Sequence, residues 1–183
     1  MLSIANEVAM DIEEIYALEA TTTFNKNIME LEVREDINNR ISYYYESTKK
    51  VPFKFFGKTH MVDIYCKSIF AVDDQMVTMA NKWLTGLFRN SEKISRDPLL
   101  VKYMIESADD YQTRVGRPSV KSFDDVTGVR ITGIVFDDWR SHGEGNITSG
   151  LIGVWDAEPE HGLGILINMN LKCEGVTTQD ALL

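Results

Sequence analysis

Residues 52–66 read PFKFFGKTHMVDIYC, and this stretch sets the fold prediction for the whole chain. Gly57 and Lys58 separate two runs rich in apolar residues, which is typical of a β-hairpin. In the second run successive side chains would point to opposite faces of a strand, and one of the two faces is mostly apolar, as in a strand with one buried face. The two sets are His60, Val62, Ile64 and Cys66 on one face, and Met61, Asp63 and Tyr65 on the other.

After this hairpin the hydrophobic spacing changes to that of a helix of about four turns. Asp73 is the predicted N-cap of this helix. A second helix is predicted to begin at Asp97-Pro98, since an aspartate cap followed by proline is a strong start signal. The apolar positions are Val72, Met76, Met79, Ala80, Trp83, Leu87 and Phe88 in the first helix, and Leu100, Val101, Met104, Ala108 and Tyr111 in the second.

The remaining segments predict strands both before and after this helical pair in the sequence. Strands are predicted at residues 29–33 and 41–46 before it, and at 129–136, 151–155, 163–169 and within 171–183 after it. Residues 3–20 carry apolar side chains at helical spacing, which predicts an N-terminal helix. Because helices and strands form separate blocks, we predict an α+β fold, with one or more antiparallel sheets and the two central helices packed on one face. The chain is expected to be one domain, with residues 1–25 as a helical extension and 26–183 as the α+β body.

The composition narrows the range of partners. The 183 residues carry 19 basic and 28 acidic side chains, a net charge of −9. This charge argues against binding nucleic acid or an anionic membrane. Solubility is the favoured interpretation of the charge, and attraction to a basic protein partner is the alternative. The sequence contains no signal peptide and no stretch long and apolar enough to span a membrane, so a cytoplasmic location with reduced Cys66 and Cys173 is expected.

Common catalytic and cofactor motifs are missing from the sequence, so we predict no catalytic residue, cofactor or metal ligand. Gly57-Lys58-Thr59 is similar to the end of a phosphate-binding loop, but Pro52 stands where that loop requires glycine. His60 is interpreted as structural because it lies in a strand alternation. Two clusters of acids with histidine remain as candidates: Asp137, Asp138, His142 and Glu144, and Asp156, Glu158, Glu160 and His161.

The second cluster has two interpretations. In an extended segment Asp156, Glu158 and Glu160 point the same way, and three carboxylates can bind a hard cation, with His161 beside them as a general base. The alternative is a solvated turn whose acids cap backbone groups, which is the commoner role of charges in loops. The solvated turn is the favoured interpretation.

The most distinctive tract is residues 155–165, WDAEPEHGLGI, which predicts a strand, an acidic turn and a second strand. The glycines permit unusual backbone angles or close backbone approach, and the tryptophan supplies a large anchor. The candidate functional residues of this turn are Trp155, Asp156, Glu158, Glu160, His161, Gly162 and Gly164.

This tract resembles the W-D-x-E-H-G-x-G signature of a bacterial family of domains of unknown function, often grouped with immunity proteins of polymorphic toxin systems. The resemblance covers about residues 50–183, but Ala157-Glu158-Pro159 makes the turn longer than the signature has it. It extends to Phe56-Gly57-Lys58, to the helix through Gln75 and Trp83, to the second helix ending at Tyr111, and to Gly175 with Gln179-Asp180. The resemblance implies a cytosolic α+β domain and supplies no catalytic residues.

Three functions follow from these observations. The first is an immunity-type protein that binds and neutralises a basic toxin, without enzymatic activity. The alternatives are a structural or regulatory protein of mobile-element origin, and a small metal-dependent hydrolase that uses the Asp156–His161 turn. The run Tyr43-Tyr44-Tyr45 suits either an exposed interface or, more commonly, sheet packing.

Overall fold

The computed structural model describes residues 29–35, 41–71, 73–138, 140 and 149–183. The predicted N-terminal helix, His142 and Glu144 lie outside the described residues. In chain order the elements are β1 (Met29–Glu35), β2 (Ile41–Ser47), β3 (Val51–Phe55), β4 (Lys58–Ser68), α1 (Asp74–Ser95), α2 (Pro98–Arg114), β5 (Arg130–Asp137), β6 (Gly150–Val154), β7 (Leu163–Ile167) and β8 (Cys173–Thr177). Within the described part of the chain, short 3₁₀ turns lie at Phe123–Asp125 and Gln179–Ala181.

The strands form a mixed sheet in the order β1-β2-β4-β5-β6-β7-β8, and β3 pairs with the first half of β4. The α+β class is therefore confirmed, but the prediction of purely antiparallel pairing is wrong. β4 and β5 run parallel, with Ile64 opposite Ile134, while the other pairs are antiparallel. The physical reason is the pair of helices between them, because a long crossover brings the chain back to the same end of the sheet.

The predicted hairpin is formed by β3 and β4. Its turn consists of Phe56 and Gly57, which have φ angles of 52° and 71°. Positive φ at both central residues is the pattern of a type I′ turn, whose twist matches that of paired strands. The Gly-Lys-Thr tract therefore belongs to a hairpin and not to a phosphate cradle.

Both helices begin at the predicted caps. The Met76 amide donates to Asp73 Oδ1 at 2.7 Å, and the Leu99 amide donates to Asp97 Oδ1 at 2.8 Å. α1 is longer than predicted: it continues through the polar residues 89–93 and ends at Ser95, for a length of 22 residues. Ile94 prolongs its buried stripe, and the hydroxyls of Ser91 and Ser95 donate to carbonyls of their own helix.

The main core lies between the helices and one face of the sheet. α1 contacts β3 and β5, and α2 contacts β8. From the sheet, Val62, Ile64 and Cys66 are buried on this inner face, as the alternation in β4 predicts. The central rings are Phe53, Phe55 and Trp83, and Phe53 meets Phe88 edge to face with centroids 5.2 Å apart.

The outer face of the sheet carries a smaller apolar cluster of Val135, Ile152 and Leu182. The Lys67 ammonium donates to the Leu182 carbonyl at 2.7 Å, which fixes the final 3₁₀ turn against this face. The tyrosine run serves sheet packing, because Tyr44 and Tyr45 are each only 7% exposed.

Replacing Phe53 by alanine is expected to lower the free energy of unfolding by about 3–5 kcal/mol, because the fully buried ring leaves a cavity between Phe55 and Phe88. Urea denaturation measures the change. Met61→Ala, on the exposed face of neighbouring β4, is the control and should change stability by less than about 0.5 kcal/mol. Equal effects of the two substitutions would contradict this assignment of the core.

Candidate functional site

The signature turn, residues 155–162, connects β6 to β7. Its apolar members face inward, since Trp155 and Ala157 are 4% and 5% exposed. Asp156, Glu160 and His161 are exposed. The turn is thus anchored by its apolar side chains and presents most of its polar ones to solvent.

The acids of this turn have separate surroundings and partners. Thr127 Oγ1 donates to Asp156 Oδ2 at 3.3 Å, whereas Glu158 Oε2 lies 3.5 Å from Arg114 Nη2. His161 Nδ1 lies 3.6 Å from Asp180 Oδ2. Among the described residues, no group of three or more histidine, cysteine or acidic side chains is arranged to hold a metal ion. The segment is a turn and not extended, so its carboxylates do not share one direction.

The glycines of the turn allow close backbone approach. Gly162 has a φ of 65°, and a Cβ there would lie 2.7 Å from the Gly153 carbonyl oxygen. A Cβ on Gly164 would lie 2.6 Å from the Thr178 carbonyl oxygen. These distances are too short for a side chain, so both glycines let the turn and β7 lie against neighbouring backbone.

One backbone hydrogen bond closes the turn, and another ties it to the segment after β8. The Gly162 amide donates to the Glu158 carbonyl at 3.0 Å, and the Gln179 amide donates to the His161 carbonyl at 3.1 Å. The turn therefore has a fixed position beside the end of β8.

An acidic cleft of about 370 Å³ lies between α2, the signature turn and the end of β8. We call it the α2–β8 cleft. Among the residues that the structure describes, its ionisable lining consists of Glu106, Asp110 and Glu158, with Arg114 as the one cation. Arg114 Nε lies 3.2 Å from Asp110 Oδ2, and this guanidinium also reaches Glu158. Since these residues carry three carboxylates and one guanidinium, their net charge is negative.

Trp155 also lines this cleft. Among the described residues its indole N–H is buried and has no hydrogen-bond acceptor. Leaving a buried donor unpaired costs about 1–3 kcal/mol, so such a group needs an explanation. The sequence marks Trp155 only as a large apolar anchor; its unpaired donor depends on the surrounding fold.

A second polar cluster lies where β4 and β5 end. Asp137 and Asp138 are 3% and 0% exposed. Lys67 Nζ lies 3.4 Å from Asp137 Oδ2, and Ser68 Oγ donates to Asp138 Oδ2 at 3.0 Å. Because parallel strands bring their carboxyl ends to one edge, residues from β4 and β5 meet here.

Arg140 joins this cluster to the start of α1. Its Nε donates to Asp138 Oδ1 at 2.8 Å, and its Nη1 donates to Asp73 Oδ2 at 2.8 Å. Its guanidinium also lies 5.7 Å from the centroid of the Phe70 ring. Arg140 therefore bridges two carboxylates that come from different parts of the chain.

The charges of this cluster stabilise one another. Burial opposes ionisation of Asp138, but hydrogen bonds from Arg140 and Ser68 outweigh it and hold the pKa of Asp138 below its usual value. The pKa of Asp73 is lowered as well, first by Arg140 and then by the Met76 amide. The Asp138 hydrogen bond raises the pKa of Arg140. These paired charges connect structural elements, and no local sequence pattern marks Ser68 and Arg140 as members of the cluster.

The remaining candidates for chemistry are structural. His60 is buried, its Nδ1 accepts from the Ile131 amide at 3.2 Å, and its Nε2 lies 3.1 Å from the Phe55 carbonyl oxygen. Cys66 and Cys173 are buried free thiols. Burial raises the pKa of Cys66, and it raises that of Cys173 to about 11, which disfavours the reactive thiolate.

No family model, curated protein or solved structure matches this chain significantly. The resemblance of residues 155–165 to the W-D-x-E-H-G-x-G signature therefore stays a prediction. Neither described helix has both the length and the apolar character that crossing a membrane requires.

Gly162→Ala is expected to lower the free energy of unfolding by about 2–4 kcal/mol, because left-handed backbone strain adds to a clash with the Gly153 carbonyl. Gly116→Ala is the matched control. Gly116 has a φ of 70° but open space around its Cβ position, so only the strain of about 1–2 kcal/mol applies. Thermal unfolding of both variants measures the difference, and equal losses would refute the close approach.

Arg140→Met is expected to lower the free energy of unfolding by about 2–4 kcal/mol at pH 7, because Asp138 stays buried without its cation. Exposed Arg117→Met is the control for loss of one positive charge and should have little effect. Urea denaturation at several pH values separates this role from simple packing.

The pH dependence follows from the lowered pKa of Asp138. Its contribution to stability is present above the unfolded pKa of about 4 and is lost as the pH falls through the lower folded pKa. The deficit of Arg140→Met should therefore shrink below about pH 4. A deficit independent of pH would show that packing of the Arg140 side chain, and not its charge, is responsible.

Proposed function

We propose that this protein is a non-enzymatic, immunity-type binding protein that neutralises a basic toxin in the bacterial cytoplasm. The observation that carries the proposal is the α2–β8 cleft, whose described lining contains the carboxylates of Glu106, Asp110 and Glu158 and a single cation, Arg114. The net charge of −9 has the same sign as this surface.

Electrostatics explains why such a surface suits this task. A negative protein with a concentrated acidic cleft attracts a positive partner over a distance and orients it during the encounter. Fast association is useful to a protein that must intercept a toxin before the toxin acts. The resemblance of residues 155–165 to an immunity-associated signature supports the same proposal.

The metal-dependent hydrolase is not favoured by the geometry. It requires the acids of the signature turn to converge, whereas Asp156 interacts with Thr127 and Glu158 with Arg114. The other alternative, a structural or regulatory protein of mobile-element origin, has no specific contact in its favour.

Affinity purification of the tagged full chain from its native lysate is expected to retain one basic protein at low salt. The same partner should be weakened in about 1 M salt, because screening shortens the reach of charge from about 10 Å at 0.1 M to about 3 Å. Mass spectrometry identifies the partner.

Neutralisation is then measured directly. Expression of the captured protein alone should inhibit bacterial growth, and co-expression of this chain should restore it. If the captured protein is harmless, or if co-expression does not restore growth, the immunity proposal is wrong. A partner held equally well at both salt concentrations would remove the electrostatic basis of the proposal.

A further inference from the structure

We infer that this protein associates with a second copy of itself through the exposed face of α2, with the two helices antiparallel. The basic end of this face in one copy lies against the acidic end in the other copy. The inference goes beyond the proposed function and does not depend on it. It rests on two clefts of opposite charge that the fold places toward the two ends of one helix.

The basic end is a cleft of about 830 Å³ at the corner between α1 and α2, and we call it the corner cleft. Its cations are Lys93, Arg96 and Lys172. Its acids already have partners within the chain, since Asp97 caps α2 and Glu92 lies 3.7 Å from Arg96. Among the described residues, the ammonium groups of Lys93 and Lys172 have no ion-pair partner. The described lining of the corner cleft thus has an excess of positive charge, in a chain whose net charge is −9.

The acidic end is the α2–β8 cleft, whose described lining contains Glu106, Asp110 and Glu158 beside Arg114. The side chains of Glu106 and Asp110 are 59% and 71% exposed, so a second chain can reach them. A helix rises about 1.5 Å per residue, which puts Asp110 roughly 18 Å along α2 from Pro98 in the corner cleft. One helix therefore connects two clefts of opposite charge.

An exposed stripe of α2 runs between the two clefts. Residues three or four positions apart lie on one face of a helix. Four exposed residues of α2 follow this spacing: Leu99, Lys102, Glu106 and Asp110. The buried residues of the helix belong to its other face. The stripe is thus open to a second chain along its whole length, and exposed Leu99 adds apolar surface to it.

A two-fold axis beside the middle of α2 brings the oppositely charged ends together twice. In a two-fold contact each pair of residues occurs in both directions, so the corner cleft of each copy meets the α2–β8 cleft of the other. The spacing of the two contacts matches, because it is the same in both copies. With the axis next to Met104, Lys102 of one copy lies opposite Glu106 of the other. Once the first contact has formed, the second is intramolecular and adds to the affinity.

Internal ion pairs and net charge do not prevent this contact. Lys102 Nζ lies 3.7 Å from Glu106 Oε1, and Arg114 Nε lies 3.2 Å from Asp110 Oδ2. Exposed pairs of this kind contribute little to stability, so their carboxylates can exchange partners. At physiological ionic strength the screening length is about 8 Å. The charges on the far sides of the two copies therefore hardly interact, whereas those across the contact do.

Sedimentation equilibrium of the full chain measures the self-association. In about 0.15 M salt the average mass should rise from 20.8 kDa toward twice this value as the protein concentration increases to about 1 mM. In about 1 M salt, where the screening length is about 3 Å, the dissociation constant should be at least roughly tenfold higher. A chain that stays monomeric at every concentration, or a dimer that is insensitive to salt, would overturn the inference.

Two charge-reversed variants test which ends meet. Lys93→Glu with Lys172→Glu makes the corner cleft acidic. Glu106→Lys with Asp110→Lys makes the α2–β8 cleft basic. Each variant alone should be monomeric, because like charges then meet at both contacts. An equimolar mixture should form a dimer with one copy of each, because both contacts are attractive again.

Circular dichroism verifies that the charge-reversed variants are folded. If folded variants do not associate in the mixture, the pairing of these two clefts is wrong. If each variant still dimerises alone, the contact lies elsewhere on the molecule and the inference falls as well.

A third variant separates this contact from the effect of net charge. Asp74→Lys with Asp124→Lys changes the net charge as Glu106→Lys with Asp110→Lys does, but at exposed positions outside both cleft linings. This control should dimerise at least as well as the unchanged chain, since both clefts are intact and the net repulsion is lower. Equal behaviour of the control and the α2 variant would show that net charge controls the association, and would overturn the assignment to the two clefts.

The dimer covers the α2–β8 cleft, so a basic partner and the second copy compete for it. This consequence rests on the proposed function, whereas the self-association does not. If the chain dimerises as described but the lysate contains no toxin, this inference stands and the immunity function falls. If a toxin is captured and neutralised by a chain that is monomeric at every concentration, the immunity function stands and this inference is wrong.

Discussion

The parallel pairing of β4 with β5 is the constraint on which the rest of the fold depends. Parallel neighbours cannot be joined by a tight turn, so the chain must cross from the end of β4 back to the start of β5. α1 and α2 make this crossing, and they cover the inner face of the sheet on the way. The crossover thus supplies the helical layer of the main core.

This arrangement also creates the polar cluster at the strand ends. β4 ends at Ser68, β5 ends at Asp137, and α1 starts from Asp73 at the same edge. Backbone polar groups and charges accumulate where chain segments change direction, and each of them needs a partner. Arg140 meets this need for Asp73 and Asp138 together, so one guanidinium joins the start of the crossover to the end of β5.

Local patterns were sufficient to predict the hairpin, both helix starts and most strands. Asp73 and Asp97 signal their helices through a hydrogen bond that needs only neighbouring residues. The direction of β5 has no comparable local signal. Residues 131–136 are largely apolar, which is typical of a strand buried on both faces, but strand burial does not specify the partner strand. The sequence did not predict the end of α1, because Ile94 is separated from the other apolar positions of the helix by a run of polar residues.

The candidate site could be predicted only in part for the same reason. The tract 155–165 is distinctive within the sequence, and the structure places it in a turn with buried Trp155. The partners of its acids come from remote segments, as Arg114 does for Glu158 at a separation of 44 residues. Arg140 and Asp73 are 67 residues apart. Such contacts form only in the assembled fold, so the spacing of neighbouring residues in the sequence does not predict them.

The two buried thiols lie on strands at different positions in the sheet. Cys66 belongs to the central strand β4, and Cys173 belongs to β8 at the end of the strand order. Alkylating reagents reach a buried thiol only when the structure around it opens, and edge elements open at lower free energy than central ones. The chain therefore contains its own pair of natural probes: Cys173 for fraying of the edge, and Cys66 for opening of the whole core.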